Sequence, residues 1–348
     1  MSSLKKIAIT IGDPAGIGPE IVLKALLSKE VTGICRPVIV GDRTVIEEAV
    51  ESLKIPLDPP FPKGDSFYLS SQQESPLLVK GGAGEFSGDI ELINIAEIKG
   101  GGFEKNRPSA GGGRACAAYI KKAVELASGK SVAAVVTAPI SKEALKMAGL
   151  QWPGHTEMLA ELTNTRDYAM MLVGGPLRVI LVTIHTALRN VPALITKGRV
   201  LKTIGLAKKA CDMLGIKDPE IAVAGLNPHA GEAGIFGSEE TDEIFPAVEE
   251  AQAAGVPVSG PYPPDTLFHK AYRGEFDIIV CMYHDQGLIP LKMIAFDRGV
   301  NATIGLPIIR TSPDHGTAYD IAWKGIADPS SMIEAIKLAV RLGGSHAV

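Results

Sequence analysis

Three of the seven histidines stand directly after apolar runs: His185 in LVTIHTALR, His229 in GLNPHAGE and His284 in MYHDQG. Neutral imidazole ligates divalent transition metals, and three protein nitrogens with open positions make a catalytic metal site. The separations are 229 − 185 = 44 and 284 − 229 = 55 residues, so nothing local specifies such a site. Three separately hydrogen-bonded strand-end histidines are the plain alternative. Cys281 lies close before His284, but strand alternation turns it away from the face shared by Met282 and His284, which makes it a core residue. His155 and Thr156, in WPGHTEMLAELT, precede an apolar helix whose N-terminus favours an anion; a simple cap supported by Glu157 uses the same residues. Lys292 in IPLKMIAF, Arg298 in FDRGVN and Arg310 in LPIIRTSPDHG are cations that stand out against the acidic total, and Lys292 and Arg310 flank Asn301 in mostly apolar surroundings, where an unpaired charge is costly. Their partner is either a structural carboxylate such as Asp314 or a phosphate or carboxylate of a substrate, which a guanidinium grips through two bonds. GDPAGIGPE lacks the third glycine of the dinucleotide fingerprint, yet it supplies a tight strand-to-helix turn with exposed backbone N–H groups and Asp13 beside it.

The elements that must position these groups alternate. KIAITIGDPAGIGPEIVLKALLS reads as strand, turn and helix with Pro19 in the first helical turn, and RPVIVGD followed by TVIEEAVESL repeats the βα unit. ACAAYIKKAVELASG reads as an amphipathic helix, SVAAVVTAP as a buried strand, and SKEALKMAG as a helix closed by Gly149. YAMMLVG and LRVILVTIH, joined by GGP, suggest adjacent strands of mixed or antiparallel type. PEIAVAGLNPHAGE, FDIIVCMYHDQG and NATIGLPIIRTS are strands running into loops rich in His, Asp and Gly, and ligands of open α/β sheets bind at such carboxyl ends. Pro56–Ser66 is turn-rich, and the Gly triplets of IKGGGFEKNRPSAGGGRA mark a mobile surface connection, a candidate lid.

The 348 residues carry 35 Lys plus Arg against 39 Asp plus Glu, a formal charge of −4, which excludes a basic nucleic-acid coat. With 46% hydrophobic and 21% charged residues, the chain reads as a packed globular protein, of two domains or of one large domain with an insertion, two being the first expectation. Four scattered cysteines show no disulfide or thiolate-metal spacing, and no apolar run reaches membrane-span or signal-peptide length; a cytoplasmic enzyme is the default expectation.

Together, GDPAGIGPE, TAPISKEAL, PGHTE, GLNPHAGE, YHDQGLIPLK, GVN and GLPIIRTSPDHGTAYDIAWKG resemble the 4-hydroxythreonine-4-phosphate dehydrogenase family over nearly the whole chain. GDPAGIGPE and HGTAYDIAWKGIADP are also similar to a turn and a cofactor loop of the isocitrate and isopropylmalate dehydrogenases. The resemblance implies an α/β fold of two α/β/α domains, with the active site in the interdomain cleft. Residues 1–150 and 294–348 would carry the cofactor loop, and residues 151–293 the metal ligands and dimer contacts. It implies one divalent ion (Zn, Mg, Co or Mn) on His185, His229 and His284, shared across a homodimer. Substrate contacts fall on His155, Thr156, Lys292, Asn301 and Arg310, and the cofactor loop on His315, Gly316, Thr317, Ala318 and Asp320. An acidic residue at 320 would accept hydrogen bonds from ribose hydroxyls and repel a 2′-phosphate, favouring NAD over NADP.

The implied reaction oxidises the C3 hydroxyl of a 4-phosphorylated four-carbon acid and then releases the carboxylate. Asp285 or Asp265 would orient a ligand or move a proton, and Lys292 would bind anion or aid proton transfer. Members serving vitamin B6 synthesis often have His before the Lys of TAPISKEAL, where this chain has Ser141. That position and RDYAMMLV look closer to the branch acting on D-threonate or D-erythronate 4-phosphate. 4-Phosphohydroxy-L-threonine is the first expectation and the paralogous acids the second. A further branch of the family acts on a dihydroxycyclohexadiene dicarboxylate. A phosphotransacetylase-like acyltransferase or a non-catalytic sensor would not require the three histidines together with Asp320.

Overall fold

The computed structural model describes residues 4–53, 77–79, 90–98 and 103–344; the turn-rich stretch 56–66 and the first Gly triplet, Gly100–Gly102, lie outside them. The strands are β1 Lys6–Thr10, β2 Arg36–Gly41, β3 Leu77–Val79, β4 Ile90–Asn94, β5 Ala134–Thr137, β6 Ala169–Gly174, β7 Leu177–Leu181, β8 Ile221–Ala224, β9 Val258–Tyr262, β10 Ile278–Cys281, β11 Val300–Ile304 and β12 Arg310–Pro313. The chain divides into two compact units, residues 1–164 with 307–343 and residues 165–306 with 344–348.

In the first unit the strand order is β3-β4-β2-β1-β5-β12. Its pairs are parallel apart from β3 with β4. β1 and β5 are buried almost throughout, the pattern of strands covered on both faces. The helix Gly18–Leu27 leaves β1 through the GDPAG turn, with Pro19 placed where a missing N–H costs nothing. The helix Ala110–Ser128 starts on Ser109, whose hydroxyl accepts from Gly112 N–H at 3.0 Å. The second Gly triplet, Gly111–Gly113, therefore belongs to a capped helix and not to a mobile connection. The reason is steric: a Cβ on Gly113 would lie 2.1 Å from the Ala144 carbonyl oxygen, so glycine is what lets this helix meet Lys142–Met147.

In the second unit the order is β11-β6-β7-β10-β8-β9. β6 and β7 form the antiparallel hairpin expected across Gly-Gly-Pro, and β11 is antiparallel to β6. β7, β10, β8 and β9 are parallel. Leu172, Val179, Ala222, Ile279, Cys281 and Leu291 belong to one buried cluster, so Cys281 is core, with burial pushing its thiol well up. NATIGLPIIRTS splits at Gly305 (φ +110°) into β11 and β12, which sends Asn301 to the second unit and Arg310 to the first. Among the described residues, no helix is long and apolar enough to cross a membrane.

Candidate functional site

The histidine loops share one edge by construction. His185, His229 and His284 follow β7, β8 and β10. β10 pairs in parallel with both β7 and β8, so the three loops leave neighbouring strands in the same direction. His284 opens the helix His284–Ala295, and its Nδ1 lies 2.7 Å from Asp285 Oδ1. The rings of His185 and His284 are 5.6 Å apart between centroids at 43°. His229 packs at 6.1 Å against the Phe236 ring. Among the described residues, no three His, Cys, Asp or Glu side chains within this chain are grouped to hold an ion.

Two buried side chains that sequence reasoning passed over shape these loops. Gln286 accepts from Met282 N–H and donates to the Gly225 carbonyl, both at 2.7 Å, tying the His284 loop to the start of the His229 loop. Glu240, 3% exposed, accepts from the N–H groups of Leu226 and Asn227 at 2.7 Å each and from the Asn227 amide at 2.9 Å. The backbone then runs through five left-handed residues, His229 to Ala233, with φ between +44° and +79°. Non-glycine residues hold such angles only where their surroundings over-determine them, and the Glu240 anchor does so here. The signal in sequence was only an acidic pair, Glu239 and Glu240, after a Gly-rich loop.

A cavity of about 370 Å³ opens beside His185, lined among others by Arg166, Arg199, Lys202, Tyr168 and Thr186. Lys202 pairs with Asp167 at 2.5 Å, and Arg166 and Arg199 line the same cavity. Lys292 is half-buried, its ammonium 5.9 Å over the Phe296 ring. Asn301 keeps a buried Oδ1 with no hydrogen-bond partner. Asp265 is exposed in the first turn of Pro264–Tyr272. Arg298 is exposed at the end of a 3-10 turn, where solvent meets its charge.

In the first unit, Arg310 at the start of β12 is 2% exposed, and its Nε and Nη2 both donate to Thr137 Oγ1 at 3.1 and 2.7 Å. Burial lowers its pKa to about 9 against the opposing charge of Glu157, so the guanidinium stays charged at neutral pH. His155 and Thr156 begin the helix His155–Leu162, as expected. Burial, then the Arg310 charge, holds the His155 pKa well below the ordinary imidazole range. Its Nε2 is buried without a partner. With Nδ1–H assigned to the Ala138 carbonyl, that nitrogen is a lone-pair acceptor awaiting a donor.

The cofactor-loop candidates lie together after β12, with His315, Gly316 and Asp320 exposed, Thr317 half-buried and Ala318 at φ +42°. The N–H groups of the GDPAG turn are not exposed. Asp13 N–H donates to Pro139 O (2.9 Å), Gly16 N–H to Asp13 O (3.0 Å) and Ile17 N–H to Thr317 O (3.0 Å), while Ala15 N–H meets the Asp13 carboxylate (2.9 Å). Ser141 is occupied as a helix cap, its hydroxyl accepting from Ala144 N–H at 3.1 Å.

The family described as pyridoxal phosphate biosynthetic protein PdxA matches residues 33–339. A 4-hydroxythreonine-4-phosphate dehydrogenase of Desulforapulum autotrophicum is 48% identical over 96% of this chain and 94% of its own. A D-threonate 4-phosphate dehydrogenase of Salmonella typhimurium is 44% identical over 97% and 99%. The crystal structure of 4-hydroxythreonine-4-phosphate dehydrogenase from Klebsiella pneumoniae superimposes with a TM-score of 0.84 at 41% identity, covering 99% of each chain.

Proposed function

Since the chain belongs to the PdxA family of pyridoxal phosphate biosynthetic proteins, we propose that this dehydrogenase uses NAD and a divalent metal to oxidise and decarboxylate 4-phosphohydroxy-L-threonine, giving 3-amino-2-oxopropyl phosphate. The observation that carries the metal part is the His185–His284 pair with Asp285 on His284 Nδ1. A carboxylate on Nδ1 fixes the ring and leaves the Nε2 lone pair for an ion, the usual arrangement behind a ligating histidine. Of the candidate ions Zn, Mg, Co and Mn, Zn and Co suit imidazole nitrogens, whereas Mg and Mn would depend on the substrate oxygens and water for most of their ligands. The ion, when bound, supplies Lewis acidity that eases loss of the hydroxyl proton and steadies the charge left when carbon dioxide departs.

The remaining work falls to side chains of the chain. Arg310, already charged and enclosed, takes the phosphate, with Thr156 at the helix N-terminus beside it. The lone pair of His155 accepts a hydrogen from a substrate hydroxyl or ammonium. The orphaned Asn301 Oδ1 accepts a second, and Lys292 binds anion or moves a proton. Asp265 is held as a further proton carrier. His315, Gly316, Thr317, Ala318 and Asp320 take the NAD. His229 completes the ligand set across a homodimer. That reading is supported by apolar side chains exposed on the helix His284 begins, Ile289 and Met293 being 59 and 82% exposed at i, i+4 spacing, and by Phe296, 75% exposed in the 3-10 turn that follows.

D-Threonate 4-phosphate, giving dihydroxyacetone phosphate, is the second reading. It is favoured by Ser141 and by relatives of that name at 44–45% identity. The test is NADH production from 4-phosphohydroxy-L-threonine, D-threonate 4-phosphate and D-erythronate 4-phosphate, with and without added divalent metal. The first reading expects the threonine derivative to give the highest kcat/KM. A larger value for either sugar acid replaces it with the second. Undiminished turnover after rigorous chelation removes the metal.

A further inference from the structure

We propose that Asp13, Tyr319 and Asn106 form a bracket that positions the 315–320 loop for the dinucleotide, so that they govern cofactor affinity without touching the reacting atoms. The proposal rests on reading that loop as the NAD loop. Its starting point is a buried carboxylate with no part in the chemistry above. Asp13 is 0% exposed, and its two oxygens accept from Tyr319 Oη at 2.7 Å and from Ala15 N–H at 2.9 Å. A buried carboxylate in an apolar setting is expensive, and it is tolerated where it accepts hydrogen bonds whose donors it then holds in place. Burial raises the Asp13 pKa while those two donors lower it, and burial likewise raises that of the Tyr319 phenol, whose other neighbours are Ser141 and Thr317.

Tyr319 sits between Ala318, at φ +42°, and Asp320, the residue assigned to the ribose. The loop reverses sharply there, and fixing the phenol fixes the direction in which Asp320 leaves. Asn106 closes the bracket from the other side. Its amide donates to the carbonyls of Tyr319 at 2.9 Å and Ala322 at 2.6 Å, while its own N–H donates to Ala15 O at 2.9 Å. One residue thereby ties the loop to the turn that carries Asp13. The contact is close enough that a Cβ on Gly16 would fall 2.9 Å from Thr317 O. Two further bonds stitch the same pair of segments, Ile17 N–H to Thr317 O at 3.0 Å and Trp323 Nε1 to Pro14 O at 3.0 Å. Lys105 covers the Trp323 ring at 4.1 Å. The loop's shape is therefore imposed by residues some 200 to 300 positions away in sequence (separations of 213 and 306), and Asp13 and Asn106 contribute without being part of the loop.

Two variants remove the bracket without disturbing the backbone. Tyr319→Phe keeps the ring and deletes the donor. Asn106→Gly deletes the amide at a residue whose φ of +67° glycine adopts freely. Each is compared with wild type and with Asp320→Ala for NADH binding to the full-length protein, followed by quenching of tryptophan emission, and for kcat and both KM values with saturating divalent metal. Loss of the one charge-assisted bond in Tyr319→Phe, or of the two neutral amide bonds in Asn106→Gly, is expected to raise the NADH Kd about tenfold, equivalent to ~1.4 kcal/mol. The KM for NAD should follow, with kcat and the KM for the phosphorylated acid within about twofold. If Asp320→Ala weakens NADH binding but neither bracket variant does, the bracket is refuted and the cofactor reading of the loop survives. Unchanged binding in all three refutes both. A matching rise in both KM values with a large fall in Tm shows a general folding role and overturns the positioning claim.

Discussion

Replacing Arg310 by Met should leave the ligand-free protein at least as stable as wild type while it destroys phosphate binding. The guanidinium is 2% exposed, and burial outweighs Glu157 enough to bring its pKa from 12.5 to about 9. That difference, 12.5 − 9 = 3.5 units at ~1.36 kcal/mol each, is on the order of 5 kcal/mol against the charged form in the empty site. Met fills a similar volume without this penalty, although it leaves Glu157 without the charge it faces and removes the two donors on Thr137 Oγ1. Exchanging a whole buried ion pair for packed apolar groups is neutral or stabilising by roughly 1–4 kcal/mol, whereas removing one partner of a fully buried pair is destabilising; Glu157 is only half-buried, so solvent meets the charge that Arg310 leaves, and the first case applies. At about 2–4 °C per kcal/mol for units of this size, Tm should hold or rise by several degrees. The opposite sign applies to ligand. A dianion gripped by a pre-paid, enclosed guanidinium loses about 3–5 kcal/mol when that group is deleted, roughly a hundredfold or more in Kd. Thermal unfolding with and without inorganic phosphate and the phosphorylated substrate measures both effects on the same samples. A ligand-free Tm lowered by more than about 5 °C, with the phosphate-induced shift retained, would refute the reasoning and make Arg310 a structural cation.

Asp285→Asn should lower divalent-metal affinity about 10- to 100-fold without changing the fold, because it weakens the acceptor on His284 Nδ1; metal content after dialysis against graded chelator reads this, and unchanged content removes Asp285 from the site. Stability should fall as pH drops below about 6.5, since the unfolded chain protonates its histidine there while the folded pKa of His155 is lower, so the unfolded state binds more protons. His155→Gln should flatten that slope in Tm against pH; an unaltered slope would mean that other groups carry it. A doubled His185→Ala, His284→Ala protein should retain NADH binding while losing metal-dependent turnover, and loss of NADH binding as well would count against separate sites for the two.

The strands, and the position of three histidines just after them, were legible because their signals are local. Apolar runs of four or five residues leading into loops with Gly, Asp or His mark β7, β8 and β10, which pair in parallel and are buried as strands covered on both faces are. Cys281 could be placed in the core by alternation alone. The second Gly triplet misled because glycine reads the same whether it frees a loop or admits a neighbouring backbone. Only the 2.1 Å approach at Gly113 distinguishes the two, and that distance depends on Ala144, which no local pattern announces. The GDPAG turn misled in the same way. Its N–H groups look available in sequence, but Pro139, Thr317 and the side chain of Asp13 take them. Glu240, Gln286 and Asn106 were passed over for a related reason: each acts by bonding backbone groups of another segment, which carry no sequence signature, and Tyr319 acts on the carboxylate of Asp13, 306 positions away. Chemistry-bearing side chains are thus visible by type, whereas the side chains that aim them become visible only when the donors and acceptors of distant loops are matched one by one.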